Sequence, residues 1–412
     1  MGSALDSQQR VFLHVGAPKT GTTFVQSVLF RYRNELAAQG LSYPAERYDD
    51  HFFAAVDLQD LDFSGEARPE ATGTWEQVAA RVRSWPGTSV VSHDVFAGAA
   101  EGHVEAAVAD LAPAEVHVIF TARDLARQLP SHWQEDVKHG QTGTFSDWYA
   151  GVARHDDSDW QLRWFWRVED VPDVLRRWSA GVTADRIHLV TVPSGGEPDL
   201  LWRRFAAVVG IEPDTVDASA VRQPNTGLGV AEVELVRRLN MRRDDTLTQA
   251  AYEHAVKGLL VHETLSGNNP GSRRFGLPEA LYPEVMACSQ AWVDNLGMAG
   301  YDVVGDLADL VPAVPQSHAA HPDSATDAEV AEVAVRALDA LTLRAHTDEH
   351  LLSAATQESE RVRGQVEELS GRLREHQELP HWERVKRTVV EIGRTNPGVG
   401  RVLGAYRRVR GR

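Results

Sequence analysis

One cysteine, Cys288, in 412 residues excludes an intrachain disulfide framework. Clustered cysteines and an H-E-x-x-H pair are both missing, so nothing in the sequence calls for a metal ion. No apolar run approaches the ~20 residues needed to span a bilayer. The opening MGSALDSQQR lacks the basic flank and apolar stretch of a signal peptide. No internal repeat is visible. Basic residues are in deficit, with 42 Lys and Arg against 59 Asp and Glu, a net charge of -17. A nucleic acid or heparin-like chain would meet a repulsive average field, so neutral or cationic partners suit this chain better than polyanionic ones. These absences predict a soluble, cytoplasmic protein with no transmembrane segment and no nucleic-acid partner. With 42% hydrophobic residues, the length suffices for one full α/β core and an appendage.

The charge that is present is unevenly spread. From Pro380 to Arg412, nine Lys or Arg stand against Glu383 and Glu391, a balance of +7 that leaves -24 on the remainder. VPAVPQSHAAHPDSATD, residues 311–327, has a linker's composition. After it, Val362, Val366, Leu369 and Leu373 recur at steps of four and three within a helical stretch, 328–376. That stripe suits self-association through a short coiled coil. Gly364 and Gly371 weaken it, and a helix folded back on the main domain is the alternative. The expected organisation is a flexible start over 1–10, a main domain over 11–310, the linker, the helical segment, and a basic tail over 377–412.

The richest segment is VFLHVGAPKTGTTFVQSVLF, residues 11–30. Val11, Phe12, Leu13 and Val15 predict a buried strand, and Thr22 and Thr23 open a helix striped by Phe24, Val25, Val28 and Leu29. Gly16 and Gly21 let the loop backbone approach an anion, toward which the N–H groups of the helix start would point. The glycines have the separation of a Walker A loop, but Thr22 stands where its lysine belongs, and Lys19 sits inside the loop. Further strands are expected at 89–93, 116–121 and 186–192, with a helix over 22–39 and others between. The fold class is therefore α/β, a P-loop-like parallel sheet flanked by helices with a C-terminal helical appendage.

Pro18, Lys19, Thr20, Gly21, Thr22 and Thr23, reading PKTGTT, resemble the 5′-phosphosulfate loop of sulfotransferases that use 3′-phosphoadenosine 5′-phosphosulfate (PAPS). In VHVIFTARDLARQLPSHWQE, residues 116–135, Arg123 follows a second strand and Ser131 comes eight residues later, which resembles the family's 3′-phosphate site. A guanidinium and a hydroxyl suit phosphate oxygens chemically. The resemblance spans roughly residues 10–310 and is closest to bacterial sulfotransferase-like proteins. It implies PAPS as sulfuryl donor and a hydroxyl or amine of a small molecule, glycan or lipid as acceptor. It also implies a basic loop over the nucleotide late in the domain, where NPGSRRFGLP places Arg273 and Arg274.

Sulfuryl transfer needs a base for the acceptor proton, neutralisation of charge on the departing phosphate, and alignment of the two substrates. The resemblance assigns the second task to Lys19. For the base, His93 and Asp94 lie at a predicted strand end, as the cytosolic enzymes arrange their histidine. Asp49, Asp50 and His51 instead occupy the region where heparan-type enzymes carry an acidic base before paired aromatics. His93 leads, with His51, Asp50 and Asp94 behind it. Trp160, Trp164 and Trp166 suit either an acceptor pocket or helix packing. Two other classes stay open: a P-loop kinase, which wants lysine directly after Gly21 and an acidic magnesium ligand at a strand end, and a catalytically silent nucleotide-binding scaffold.

Overall fold

The computed structural model describes residues 9–62, 68–197, 199–221, 227–244, 246–266, 271–313, 319–378 and 381–409. Two compact units divide the chain, Met1–Ala337 and Leu338–Arg412.

The first unit is built on six parallel strands: β1 (Arg10–Gly16), β2 (Leu41–Ser42), β3 (Thr88–Ser92), β4 (Glu115–Ala122), β5 (Ile187–Thr191) and β6 (Asp302–Val304). They lie side by side in the order β2-β3-β1-β4-β5-β6. Phe12 pairs with Val90 on one side and His117 on the other. β1 is central in the sheet and every residue after Arg10 is buried, which is why it reads as an apolar run broken by His14. The helices Thr22–Arg31 and Leu200–Val209 pack Val25, Val28, Leu29, Trp202 and Phe205 with Phe12, Val90, Ile119 and Val190 in one cluster. Truncating a side chain as buried as Phe12 to alanine should cost about 3–5 kcal/mol.

Four expected strands are present, each within about two residues of its expected bounds. β2 and β6, of two and three residues, are too short to show a periodicity. The helix expected over 22–39 is two, Thr22–Arg31 and Arg33–Ala37, because Tyr32 leaves the helical region at φ -101° and ψ 20°.

The expected start over 1–10 and part of the expected linker, 314–318, fall largely or wholly outside the described residues. Within the expected linker, residues 319–327 are bonded to the body of the first unit. Asp323 accepts from the Phe145 and Ser146 N–H groups at 2.7 and 3.0 Å, capping the helix Phe145–Ala153. The long helix Asp327–Glu378 then buries Val330, Val333 and Ala337 in its first turns. In the second unit Val362, Val366, Leu369 and Leu373 are exposed, and the basic tail contains two helices, His381–Thr395 and Pro397–Val409.

Candidate active site

The carboxyl ends of β3, β1 and β4, three adjacent strands, deliver His93, the loop after Gly16, and Arg123 to one edge of the sheet. Open α/β sheets gather ligands at that edge. The loop is tied down from below. Thr121 Oγ1 donates to the Gly16 carbonyl at 2.8 Å, Thr20 Oγ1 lies 2.5 Å from Thr121 Oγ1, and Gln128 Nε2 donates to the Pro18 carbonyl. Gly21 ends the loop at φ 99°, and a Cβ there would meet Leu201 at 2.5 Å. Lys19 adopts φ 62° without being glycine. Left-handed backbone at a non-glycine residue is uncommon, and successive N–H groups turned inward by such a bend form an anion nest.

Two cavities meet at this loop. One, of about 780 Å3, is lined by Lys19, Gly21, Thr22, Thr23, Phe52, His93, Asp94, Glu135, Lys138, Trp160, Trp164 and Lys257 among others. The other, of about 990 Å3, is lined by Lys19, Arg123, Arg127, Ser131, Lys138, Arg273, Arg274 and Phe275 among others. Lys19 and Lys138 belong to both walls. The structure thus brings together Pro18, Lys19, Gly21, Thr22, Thr23, His93 and Asp94 at one cavity, and Lys19, Arg123, Ser131, Arg273 and Arg274 at the other. Thr20 is buried beneath the loop, its hydroxyl donating to the Ala17 carbonyl at 2.6 Å.

Arg123 is held by Gln128, whose Oε1 accepts from its Nε at 2.5 Å. Gln128 also donates to Glu169 at 2.6 Å, and Glu169 bonds His132 at 2.8 Å. Burial lowers the Arg123 guanidinium to about 10, with Arg127 adding to the effect and Glu169 opposing it, so it remains charged at neutral pH. An anion beside it would relieve that desolvation. Arg274 donates to the Gly227 carbonyl at 2.6 Å, while Arg273 is paired with Glu329 at 2.8 Å.

Asp94 links the loop to His93. One carboxylate oxygen accepts from Thr22 Oγ1 at 2.9 Å, and the other lies 3.3 Å from His93 Nδ1. Burial lowers the His93 pKa below its ordinary 6.5, and Asp94 partly offsets that. The Val95 N–H also approaches Nδ1, at 3.2 Å. Two tautomers therefore compete. When Nδ1 carries the proton and donates to Asp94, Nε2 keeps its lone pair and is able to accept a proton.

Asp50 and His51 do not line either cavity. Asp50 accepts from the Glu46 and Arg47 N–H groups at 2.8 and 3.1 Å and from the Arg47 side chain at 3.1 Å. Those bonds outweigh the burial that would raise its carboxyl pKa, and hold it below the ordinary value. His51 is 1% exposed, and its Nδ1 accepts from the Ser92 N–H at 3.2 Å. Burial and the nearby His93 lower it to about 3. Asp49 precedes the helix Asp50–Gln59 and lies 3.7 Å from Arg47. Trp160 and Trp164 line the smaller cavity, whereas Trp166 stacks on His155 at 4.6 Å and donates to the Val152 carbonyl at 2.8 Å.

Glu135, Lys138 and His139 were not singled out in the sequence, although they follow Ser131 by four, seven and eight residues, the spacing that returns to one helix face. One Glu135 oxygen lies 3.0 Å from Lys19 Nζ and 3.1 Å from Lys138 Nζ. Against the burial that would raise it, Lys19, His139 and Lys138 hold the Glu135 carboxyl well below its ordinary value. Lys257, 2.8 Å from His139 Nε2, had no sequence signal because only the fold brings residue 257 here. Asp136, accepting from Trp148 Nε1 at 2.8 Å, is pushed up to about 7 by burial. No group of three or more His, Cys, Asp or Glu able to hold a metal occurs among the described residues.

No family model matches the chain, and no curated protein matches it. Among solved structures it is similar to a sulfotransferase from Alicyclobacillus acidocaldarius, at 17% identity over 60% of this chain and 94% of that one, with a TM-score of 0.37. A likeness that low transfers neither activity nor site residues.

Proposed function

We propose that the chain is a sulfotransferase that moves a sulfuryl group from PAPS to a hydroxyl or amine of a small-molecule, glycan or lipid acceptor. The observation that supports this reading best is the place of Lys19 in the common wall of two cavities, one rich in arginine and the other holding a histidine–aspartate pair. Group transfer between two substrates needs such an arrangement, with the cation where donor and acceptor meet.

In this reading Arg123 and Ser131 bind the 3′-phosphate, and Arg273 and Arg274 close over the same cavity. The loop N–H groups and Lys19 receive the 5′-phosphosulfate. The acceptor enters between Phe52, Trp160 and Trp164. His93 Nε2 takes the acceptor proton as the new oxygen–sulfur or nitrogen–sulfur bond forms and the sulfur–oxygen bond to phosphate breaks. Lys19 neutralises the charge left on the phosphate oxygen. Asp94 holds the imidazole in the tautomer this requires and stabilises the imidazolium that results. Asp50 and His51, which line neither cavity, support the fold in this scheme.

The bond between Thr22 and Asp94 favours a second reading. A P-loop enzyme uses a hydroxyl at the helix start and an acidic residue at a neighbouring strand end to hold magnesium. Calorimetry separates the two. The sulfotransferase reading predicts that adenosine 3′,5′-bisphosphate, the desulfated product, binds equally with and without magnesium and more tightly than ATP. Magnesium-dependent binding of ATP alone would establish the kinase-like reading. Tight bisphosphate binding with no turnover over a broad acceptor panel would leave a nucleotide-binding scaffold.

A further inference from the structure

The helices His381–Thr395 and Pro397–Val409 form a hairpin. Asn396 caps the second helix, its Oδ1 accepting from the Gly398 N–H at 2.9 Å. The arms meet through glycine: a Cβ on Gly400 would stand 2.6 Å from the Gly393 carbonyl oxygen, and one on Gly393 would stand 2.5 Å from Leu403. Trp382, Val385, Val389 and Ile392 recur at steps of three, four and three, which places them on one helix face. The second arm leaves that face bare, since these residues are 62, 51, 37 and 46% exposed. Arg384, Lys386, Arg387 and Arg394 share the same helix, and the Lys386 ammonium lies 5.7 Å from the Trp382 ring centre.

We propose that this hairpin docks the protein on an anionic phospholipid surface, lying in the plane of the interface. Tryptophan and aliphatic side chains on one face with basic residues beside them are the features of a helix that enters the boundary between headgroups and acyl chains. Charge selects the occupant. The segment 380–412 carries +7 while the rest of the chain carries -24. A second copy would bring like charges together, which argues against self-association through this face. Duplex nucleic acid would satisfy the arginines and leave the four apolar side chains in water. An anionic bilayer accepts both, and it repels the remainder of the protein, so attachment is by this end alone.

The test is flotation of the full chain with phosphatidylcholine vesicles, with and without about a third phosphatidylglycerol, at low and raised salt. Binding at least about tenfold stronger to the anionic vesicles, weakening with salt, is expected. Val385→Glu with Ile392→Glu should abolish it, as should Lys386→Glu with Arg387→Glu, with helix content by circular dichroism unchanged. Equal binding to both vesicles, or none, overturns the proposal. So does binding that survives Val385→Glu with Ile392→Glu and is competed by a short DNA duplex, or a stable dimer dispersed by that same pair of changes.

Discussion

Lys19 Nζ lies 3.0 Å from Glu135 Oε2, so the loop cation placed between the two cavities is held by a carboxylate from the helix that carries Ser131. In the sulfotransferase reading an incoming phosphosulfate must share Lys19 with Glu135. Both side chains keep about a third of their surface exposed, 32 and 28%, so the pair itself is weak. Glu135→Gln should therefore tighten adenosine 3′,5′-bisphosphate binding by about two- to fivefold, the scale of an ion pair worth ~0.5–1 kcal/mol. Weaker binding in calorimetry would mean that Glu135 positions Lys19 for the nucleotide.

In the sulfotransferase reading Lys19→Ala is expected to lower turnover more than affinity, because the charge on the departing phosphate oxygen is larger in the transition state than in bound PAPS. Single-turnover release of adenosine 3′,5′-bisphosphate at saturating PAPS measures this, with a transferable acceptor present. Full recovery at high PAPS would reduce Lys19 to a binding residue.

In the sulfotransferase reading the pH profile follows from His93. A base must be unprotonated, and burial places this histidine below its ordinary 6.5. Turnover should thus be on a plateau at neutral pH and fall only as pH drops through that lowered value. Asp94→Asn removes the charge that offsets the lowering, so the acid limb should move to still lower pH. The plateau should drop by roughly 10-fold or more as the working tautomer is lost, and His93→Ala should cost roughly 100-fold. A profile unmoved by either change would take His93 out of the mechanism.

The sheet was legible in the sequence because its buried parallel strands are mostly apolar runs, as in VFLHV and VHVIF, each interrupted by a single histidine. Loop residues at the strand ends were legible for the same reason: a motif that follows a strand inherits its position at the sheet edge. Residues reaching the site through tertiary packing were not. Glu135 carried a helical offset from Ser131 that went unused, and Lys257 carried nothing local. Asp50 and His51 resembled a base segment, yet the fold engages the Asp50 carboxylate with Glu46 and Arg47 and buries His51, with its Nδ1 on Ser92, away from both cavities.

A chain ending at Ala337 should keep nucleotide affinity and thermal midpoint, since both cavities are lined by earlier residues. A chain ending at Pro315 should not. It loses the Asp323 cap and buried Val330 and Val333, and burying a valine is worth about 1.5–3 kcal/mol. Equal melting temperatures for the two would show that residues 319–337 contribute nothing to the body.

In the sulfotransferase reading Arg123 reads the 3′-phosphate of PAPS. Calorimetry on wild type and Arg123→Ala, each titrated with adenosine 3′,5′-bisphosphate and with adenosine 5′-phosphate, isolates that contact. In the wild type the 3′-phosphate should add about 2–3 kcal/mol of affinity, the worth of charge-assisted hydrogen bonds. In Arg123→Ala that increment should nearly vanish, and Arg123→Lys should restore part of it. If the 3′-phosphate adds the same affinity with and without Arg123, or adds none in the wild type, Arg123 does not read that phosphate and the sulfotransferase reading fails.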